Sequence, residues 1–422
     1  MSVVLLREHT LYFLATNVPT TTIFWSFDNN TNDLYGVYNG QTINGPSYVS
    51  PGYVGYGSAI VLNGSLSQSV TVFTPYLNFA FRSLTIEAWI YPLVLSGDND
   101  LFGQCQCNTC TDKCLFFILR NSCLYMGFYS DNLQGNTALR TYSWWHVAFV
   151  YDYSSAQQTV YINGIQDGTR SGGPYLGTTG NITIGTSNIQ SPYNFFQGYI
   201  DQFSVTNRAK SALEILDDAT LVAHYSFDSG SLLDQGPNGI NGTGFGITTV
   251  TGRVNESLAF SLAGTAYFQG SGFTALAAAN QSYSFSLWIN PSSFNSTIVH
   301  LSSLSWSLSL MVLMANGQLV GQSWNGSLVR VTGPVLLSNI WTHVAETYSS
   351  TNGLRLYING TIYNSTGSFY YAASTLPNYV TLANYNNGSN STTFGPFQGT
   401  LDEFYIYSRE LNSSDISVLA NP

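Results

Sequence analysis

The sequence predicts an all-β protein built as two copies of one sandwich module. Three observations predict it: the composition, an ordered internal duplication, and the strand-and-turn signals inside each duplicated motif. Of 422 residues, 15% are aromatic, only 8% are charged, and 39 are glycine. Such a chain has ample apolar surface to bury; its aromatics, Val and Thr favour strands, and its Gly and Asn favour turns. The length exceeds one ordinary core and suits two domains of about 200 residues each.

The duplication runs in order along the chain. Phe27-Asp28 in FWSFDNN recurs as Phe227-Asp228 in AHYSFDS. SLTIEAWIYP around Trp89 recurs as SYSFSLWINP around Trp288. WWHVAFVYD, with Trp145 and His146, recurs as IWTHVAETY, with Trp341 and His343. VYINGIQDG at Asn163 recurs as LYINGTIYN at Asn359, and YIDQFSVT as LDEFYIYS. All offsets are about 200 residues, far longer than a solenoid repeat, so the copies are tandem domains.

Each motif reads as strand. TIEAWIY and SFSLWIN stop at Pro92 and Pro291. The two Asn-Gly pairs join short strands, the strongest local hairpin signal. YIDQFSVT and LDEFYIYS alternate with period two, and a short polar segment after each suits one or two helical turns. The predicted layout is an extension at 1–20, a first module at 21–220 and a second at 221–422. The junction near 217–222 lacks a Gly/Pro linker, which predicts a fixed arrangement of the modules.

This ordered set resembles the laminin-G-like family of concanavalin A-type jelly rolls, over residues from about 21 to 422 in two copies. The resemblance implies two antiparallel sheets packed face to face, a fold used in adhesion, matrix, lectin and glycosidase-associated proteins. Fold alone does not choose among them.

Charge narrows the partners. The formal net charge is −10, with two lysines, Lys113 and Lys210. Nucleic acid and anionic membrane surfaces both require basic patches, and none is visible. No run of about 18 apolar residues predicts a membrane span. Thirteen Asn-X-Ser/Thr sequons predict an extracellular, N-glycosylated protein: Asn29, Asn63, Asn181, Asn241, Asn255, Asn280, Asn295, Asn325, Asn359, Asn364, Asn387, Asn390 and Asn412. Arg7, Glu8 and His9 interrupt any leader-like run, so a mature or partial product is expected.

No catalytic set is read. The E-x-D-x-x-E strand pattern of related glucanases is absent, and Glu87 is matched by Ser286 in the second copy. Glu87 is read as a structural carboxylate, and His146 and His343 as core histidines. Calcium is the candidate cofactor. Asp28 matches Asp228 near each opening strand, and Asp201 matches Asp402 near each closing strand. Jelly-roll sandwiches bring such strands side by side, where carboxylates and loop carbonyls suit a hard cation. The other reading is that these Asp residues cap turns.

Five cysteines, Cys105, Cys107, Cys110, Cys114 and Cys123, fall in one loop-like stretch of the first copy. Two local disulfides with one leftover thiol are expected, with the pairing open and zinc as the alternative. The odd thiol is a candidate bridge to a partner.

The extension carries Val3, Val4, Leu5, Leu6, Leu11, Tyr12, Phe13 and Leu14, which read as two short strands. Apolar tails need shelter, on their own module or as a strand added to a neighbouring copy. Head-to-tail donation of that kind grows filaments unless a ring closes. The expected function is therefore a non-enzymatic extracellular protein that assembles with copies of itself into a fibre or matrix. The alternative is a calcium-dependent adhesion module that binds glycans or matrix proteins.

Overall fold

The computed structural model describes residues 22–422 apart from 75–76, 108, 129, 188, 190–193, 262–264, 304–305, 374–377 and 386–393. The extension, and with it every residue proposed for assembly, lies outside the described residues, as do the sequons Asn387 and Asn390.

Each module is two sheets packed face to face around its own core. In the first module one sheet runs, edge to edge, Ile165–Ser171, Gln157–Ile162, Trp145–Asp152, Leu84–Pro92, Gly198–Thr206, Ala59–Leu62 and Ser47–Val49, with Thr22–Trp25 also beside Gly198–Thr206. The second module repeats this order around Thr342–Ser349, Tyr283–Pro291 and Gly399–Tyr407. Pairing is antiparallel, apart from a short parallel contact of Ser296 and Thr297 with Gly395 and Pro396 and a single parallel bridge between Gly353 and Gly367.

Period two decides which side chains are inside. Along Leu84–Pro92, Leu84, Ile86, Ala88 and Ile90 join the core. Thr85, Glu87, Trp89 and Tyr91 therefore face outward. The hairpins form at Asn163-Gly164 and Asn359-Gly360, all four residues in left-handed backbone as the two-residue turn requires.

Strand register corrects one pairing read from sequence. His146 lies opposite Trp89, and His343 opposite Trp288. Trp144, two residues before His146, is thus the counterpart of Trp341, and Trp145 is the counterpart of Thr342.

The polar segments after the closing strands are helices α1 (Ala212–Thr220) and α2 (Ser413–Leu419). Ser211 and Asn412 cap them in reciprocal boxes with Glu214 and Asp415. Each helix is pinned to the outer face of its sheet by one hydroxyl. Thr85 donates to the Arg208 carbonyl (2.7 Å) and accepts from Lys210 N–H (2.9 Å). Ser284 does the same for Arg409 (2.8 Å) and Leu411 (2.9 Å). Ile215 packs on Ala148, Val150 and Tyr161, and Ile416 on Ala345 and Tyr357. Chain α1 ends at Thr220 and the next strand starts at Leu221.

The cysteines are not all in a loop. Cys105 and Cys114 end two paired strands and form one disulfide; Cys107 and Cys110 close the turn between them. That oxidation removes the zinc alternative, because thiolates are the ligands zinc needs. Cys123 opens the next strand as a buried free thiol, so it is not presented for a bridge to a partner. Of the 11 sequons within the described residues, Asn63 and Asn280 are half-buried and the others are exposed.

Candidate functional site

The four aspartates occupy matched positions on the two rims. Asp201 accepts from Tyr53 N–H at 2.8 Å, and Asp402 accepts from Arg253 and Val254 N–H at 2.8 and 2.9 Å. Asp28 accepts from Ser58 N–H at 2.8 Å, and Asp228 from Glu256 N–H at 3.2 Å. Each opening Asp and closing Asp therefore grip one loop, about 52–58 in the first module and 252–256 in the second. The turn-capping reading is thus visible for all four.

Two features go beyond capping. Oδ1 of Asp201 and of Asp402 is buried without a hydrogen-bond partner. Burial pushes Asp201 up to about 8, helped by the Asp28 charge, and Asp402 up to about 7, helped by Glu403. Backbone strain also collects here. Phe27, Phe227, Gln202 and Glu403, each next to one of the aspartates, have φ of 58°, 60°, 51° and 49°. Glycine keeps the space open: a Cβ on Gly52 would lie 2.5 Å from Asp201 Oδ2, and one on Gly252 2.6 Å from Asp402 Oδ2. Among the described residues no group of three His, Cys, Asp or Glu converges as a metal cluster. A cation here would draw on the orphaned carboxylate oxygens and loop carbonyls, a donor set that fits calcium rather than zinc.

Beside the Asp28–Asp201 rim, the outward parity of the sheet assembles aromatic rings. Tyr53 stacks on Trp89 with centroids 3.3 Å apart. Tyr91 and Tyr199, direct register partners, stack at 5.1 Å with planes 7° apart. Trp144 bridges the two pairs, 5.5 Å from Tyr91, 6.4 Å from Tyr199 and 6.0 Å from Tyr53. Tyr91, Trp144 and Tyr199 are half-buried, so each ring keeps a solvent-facing part. The second module replaces this set with Asn290, Trp341, Thr400 and Arg253, whose guanidinium sits 4.6 Å from the Trp288 ring centroid. Sequence reasoning missed the platform. The signal was present in TIEAWIYP, where Glu87, Trp89 and Tyr91 share one parity.

Glu87 belongs to a different arrangement. It lies under α1, bonded to Lys210 Nζ at 2.5 Å, and Lys210 reaches Asp218 at 2.9 Å. His146 Nε2 is 3.7 Å from Glu87. Burial, then the Lys210 charge, pushes His146 down to about 3, so this contact is polar and not ionic. His343 is likewise pushed down to about 4 by burial. Both rings sit edge-on to their tryptophans, at 5.3 and 5.4 Å.

The family described as Laminin_G_3, concanavalin A-like lectin/glucanases superfamily, matches residues 63–216 and 262–417. The chain belongs to the concanavalin A-like lectin/glucanase superfamily. Three solved structures are similar to this superfamily member. Domain 4 of AbnA, a GH43 extracellular arabinanase from Geobacillus stearothermophilus, solved with arabinotriose, is 23% identical over 48% of this chain and 98% of its own, with a TM-score of 0.35. The mouse laminin alpha1 chain domains LG4-5 are 11% identical over 96% of both chains, with a TM-score of 0.27. The CBM40 of the Ruminococcus gnavus IT-sialidase, bound to alpha2,3 sialyllactose, is 19% identical over 32% of this chain and 82% of its own, with a TM-score of 0.28. No curated protein matches.

Proposed function

We propose that this protein is a non-enzymatic, exported binding protein that takes uncharged sugar faces on the aromatic platform of its first module. The observation that carries the reading is the grouping of Tyr91, Trp144 and Tyr199 on the outer sheet face. Large rings normally bury in the core. These three contact each other outside it and are half-buried, with no basic side chain among their ring contacts within the described residues. Both disulfides and the exposed sequons support export. Catalysis has no support: Glu87 is held by Lys210 beneath α1 rather than facing a second carboxylate across a cleft. Self-assembly rests on residues 1–20, outside the described residues, and draws no support from the rest.

Trp144→Ala and Tyr91→Ala are expected to weaken binding on an array of neutral oligosaccharides by about tenfold or more each, in line with aromatic anchors elsewhere. An intact protein that binds no sugar on the array, or binds equally well after both substitutions, would reject the platform.

Calcium is the cofactor the two rims suit, through Asp28 and Asp201 and through Asp228 and Asp402. Bound there, it would supply the positive charge that the buried carboxylates lack. Adding calcium at about 100 times its dissociation constant is expected to stabilise the protein by about 2.7 kcal/mol per site. The pH dependence has a definite sign. Without the ion, the folded protein holds protons on Asp201 and Asp402 that the unfolded chain releases near pH 4. Stability should then fall as pH rises from about 4 to 8, and calcium should restore it. Asp201→Asn with Asp402→Asn should abolish both effects in thermal melts. An unchanged melting temperature on adding calcium to the intact protein rejects the cation.

A further inference from the structure

We infer that the second module positions Tyr53 in the platform, through a latch formed by the loop at 50–58; the inference rests on the platform reading. Strand register fixes the loop's length against its counterpart. Ile60 and Leu258 pair with Ile200 and Leu401. Counting back from them to Gly52 and Gly252 leaves two additional residues in the first module. Those residues reach the other module. Val54 is 3% exposed and is part of the second module's core cluster, and Tyr53 packs against the same cluster. Thr274 N–H donates to the Val54 carbonyl at 3.3 Å. A Cβ on Gly55 would lie 2.5 Å from Thr274 Cγ2, and one on Gly272 would lie 3.2 Å from Tyr56 Cβ. The Tyr53 ring, half-buried, thus lies between Trp89 of its own module and the core of the other.

Both ends of the latch are fixed. On its own module the loop is held by Asp28 and Asp201 and by Gly52 N–H donating to the Tyr56 carbonyl at 3.1 Å. On the other it is held by Val54 in the core cluster and by Thr274 N–H on the Val54 carbonyl; the modules are further joined by Ser408 N–H donating to the Thr220 carbonyl at 2.8 Å and by Arg409, which spans Asp217, Thr220 and Asp415. A six-membered ring on a free loop loses rotational freedom when a ligand stacks on it; a ring already clamped does not. Tyr53 is clamped between Trp89 of one module and the core cluster of the other. The tandem pair, rather than the first module, is then the binding unit.

The test uses the full chain with Val54→Asp and, as the milder change, Val54→Ala. Hydrogen exchange of the 50–58 peptide and calorimetry report on the latch, and an array of neutral hexasaccharides on the platform. The intact protein is expected to protect 50–58 and to melt in one transition. Both variants should raise exchange at 50–58, Val54→Asp should split the melt, and array signal should fall about tenfold. Tyr91→Ala should lower array signal about tenfold or more and leave exchange and melting unchanged. Protection of 50–58 that survives both variants overturns the latch. A released loop with undiminished array signal overturns the positioning of Tyr53. Array silence from the intact protein rejects the platform instead, while exchange and melting still decide the latch.

Discussion

Replacing Lys210 with methionine should destabilise the first module by about 3–5 kcal/mol, the cost of leaving buried charge without its partner. Lys210 is the only cation bonded to Glu87 among the described residues, and it also bonds Asp218. The Lys210 and Glu87 side chains are 13% and 4% exposed. Burial, then the Asp218 charge, pushes the Glu87 carboxyl up, the Lys210 ammonium opposes both, and the two carboxylates hold Lys210 charged against its own burial. The protein contains the control for this experiment. At the matched positions the second module has Ser286, Leu411 and Leu419, and its helix packs on the same face through apolar contacts. Transplanting that set, as Glu87→Ser with Lys210→Leu and Asp218→Leu, should be neutral or stabilising by about 1–4 kcal/mol. Denaturant unfolding of the three proteins measures it. A Lys210→Met variant as stable as the parent would show that the cluster is solvated rather than buried.

Glu346→Gln should make the second module more stable above pH 6 by about 1–3 kcal/mol. Glu346 is fully buried between the sheets, where the register of the first module places Phe149. Its Oε1 accepts from Tyr283 OH at 3.3 Å, and Oε2 has no partner. Gly321 leaves the room it needs: a Cβ there would come within 2.5 Å of Oε2. With no cation opposite it, desolvation pushes Glu346 well above the ordinary carboxylate range. The folded state therefore keeps a proton that the unfolded state releases near pH 4. Stability should fall as pH rises above that point, by up to about 1.4 kcal/mol per unit until the folded carboxyl ionises. Glu346→Gln removes this slope. Melting temperatures from pH 5 to 9 report it, and parallel slopes for the two proteins would contradict a buried, unpaired acid.

Much of this is legible in the amino-acid order. The duplication, the Asn-Gly hairpins, the strand ends at Pro92 and Pro291 and a short helical segment after each closing strand follow from period and turn chemistry, which act over a few neighbours. Opposition of Asp28 with Asp201 was also legible, because opening and closing strands of such a sandwich pair. Three things were not. The Trp144–Trp341 match needed strand register, since one residue of slip is invisible in similar motifs. Glu87 read as a lone carboxylate because Lys210, 123 residues away, meets it only after α1 folds back over the sheet. Glu346 looked like part of an ordinary strand, and its burial is set by the opposing sheet.

The amino-acid order alone determined two sandwiches and their strands, because local backbone preference and alternation are properties of short segments. Tertiary structure decided which outward rings meet, which buried charges find partners, and that Val54 of one module enters the core of the other. Those outcomes depend on contacts between residues tens to hundreds of positions apart, and no local pattern carries them.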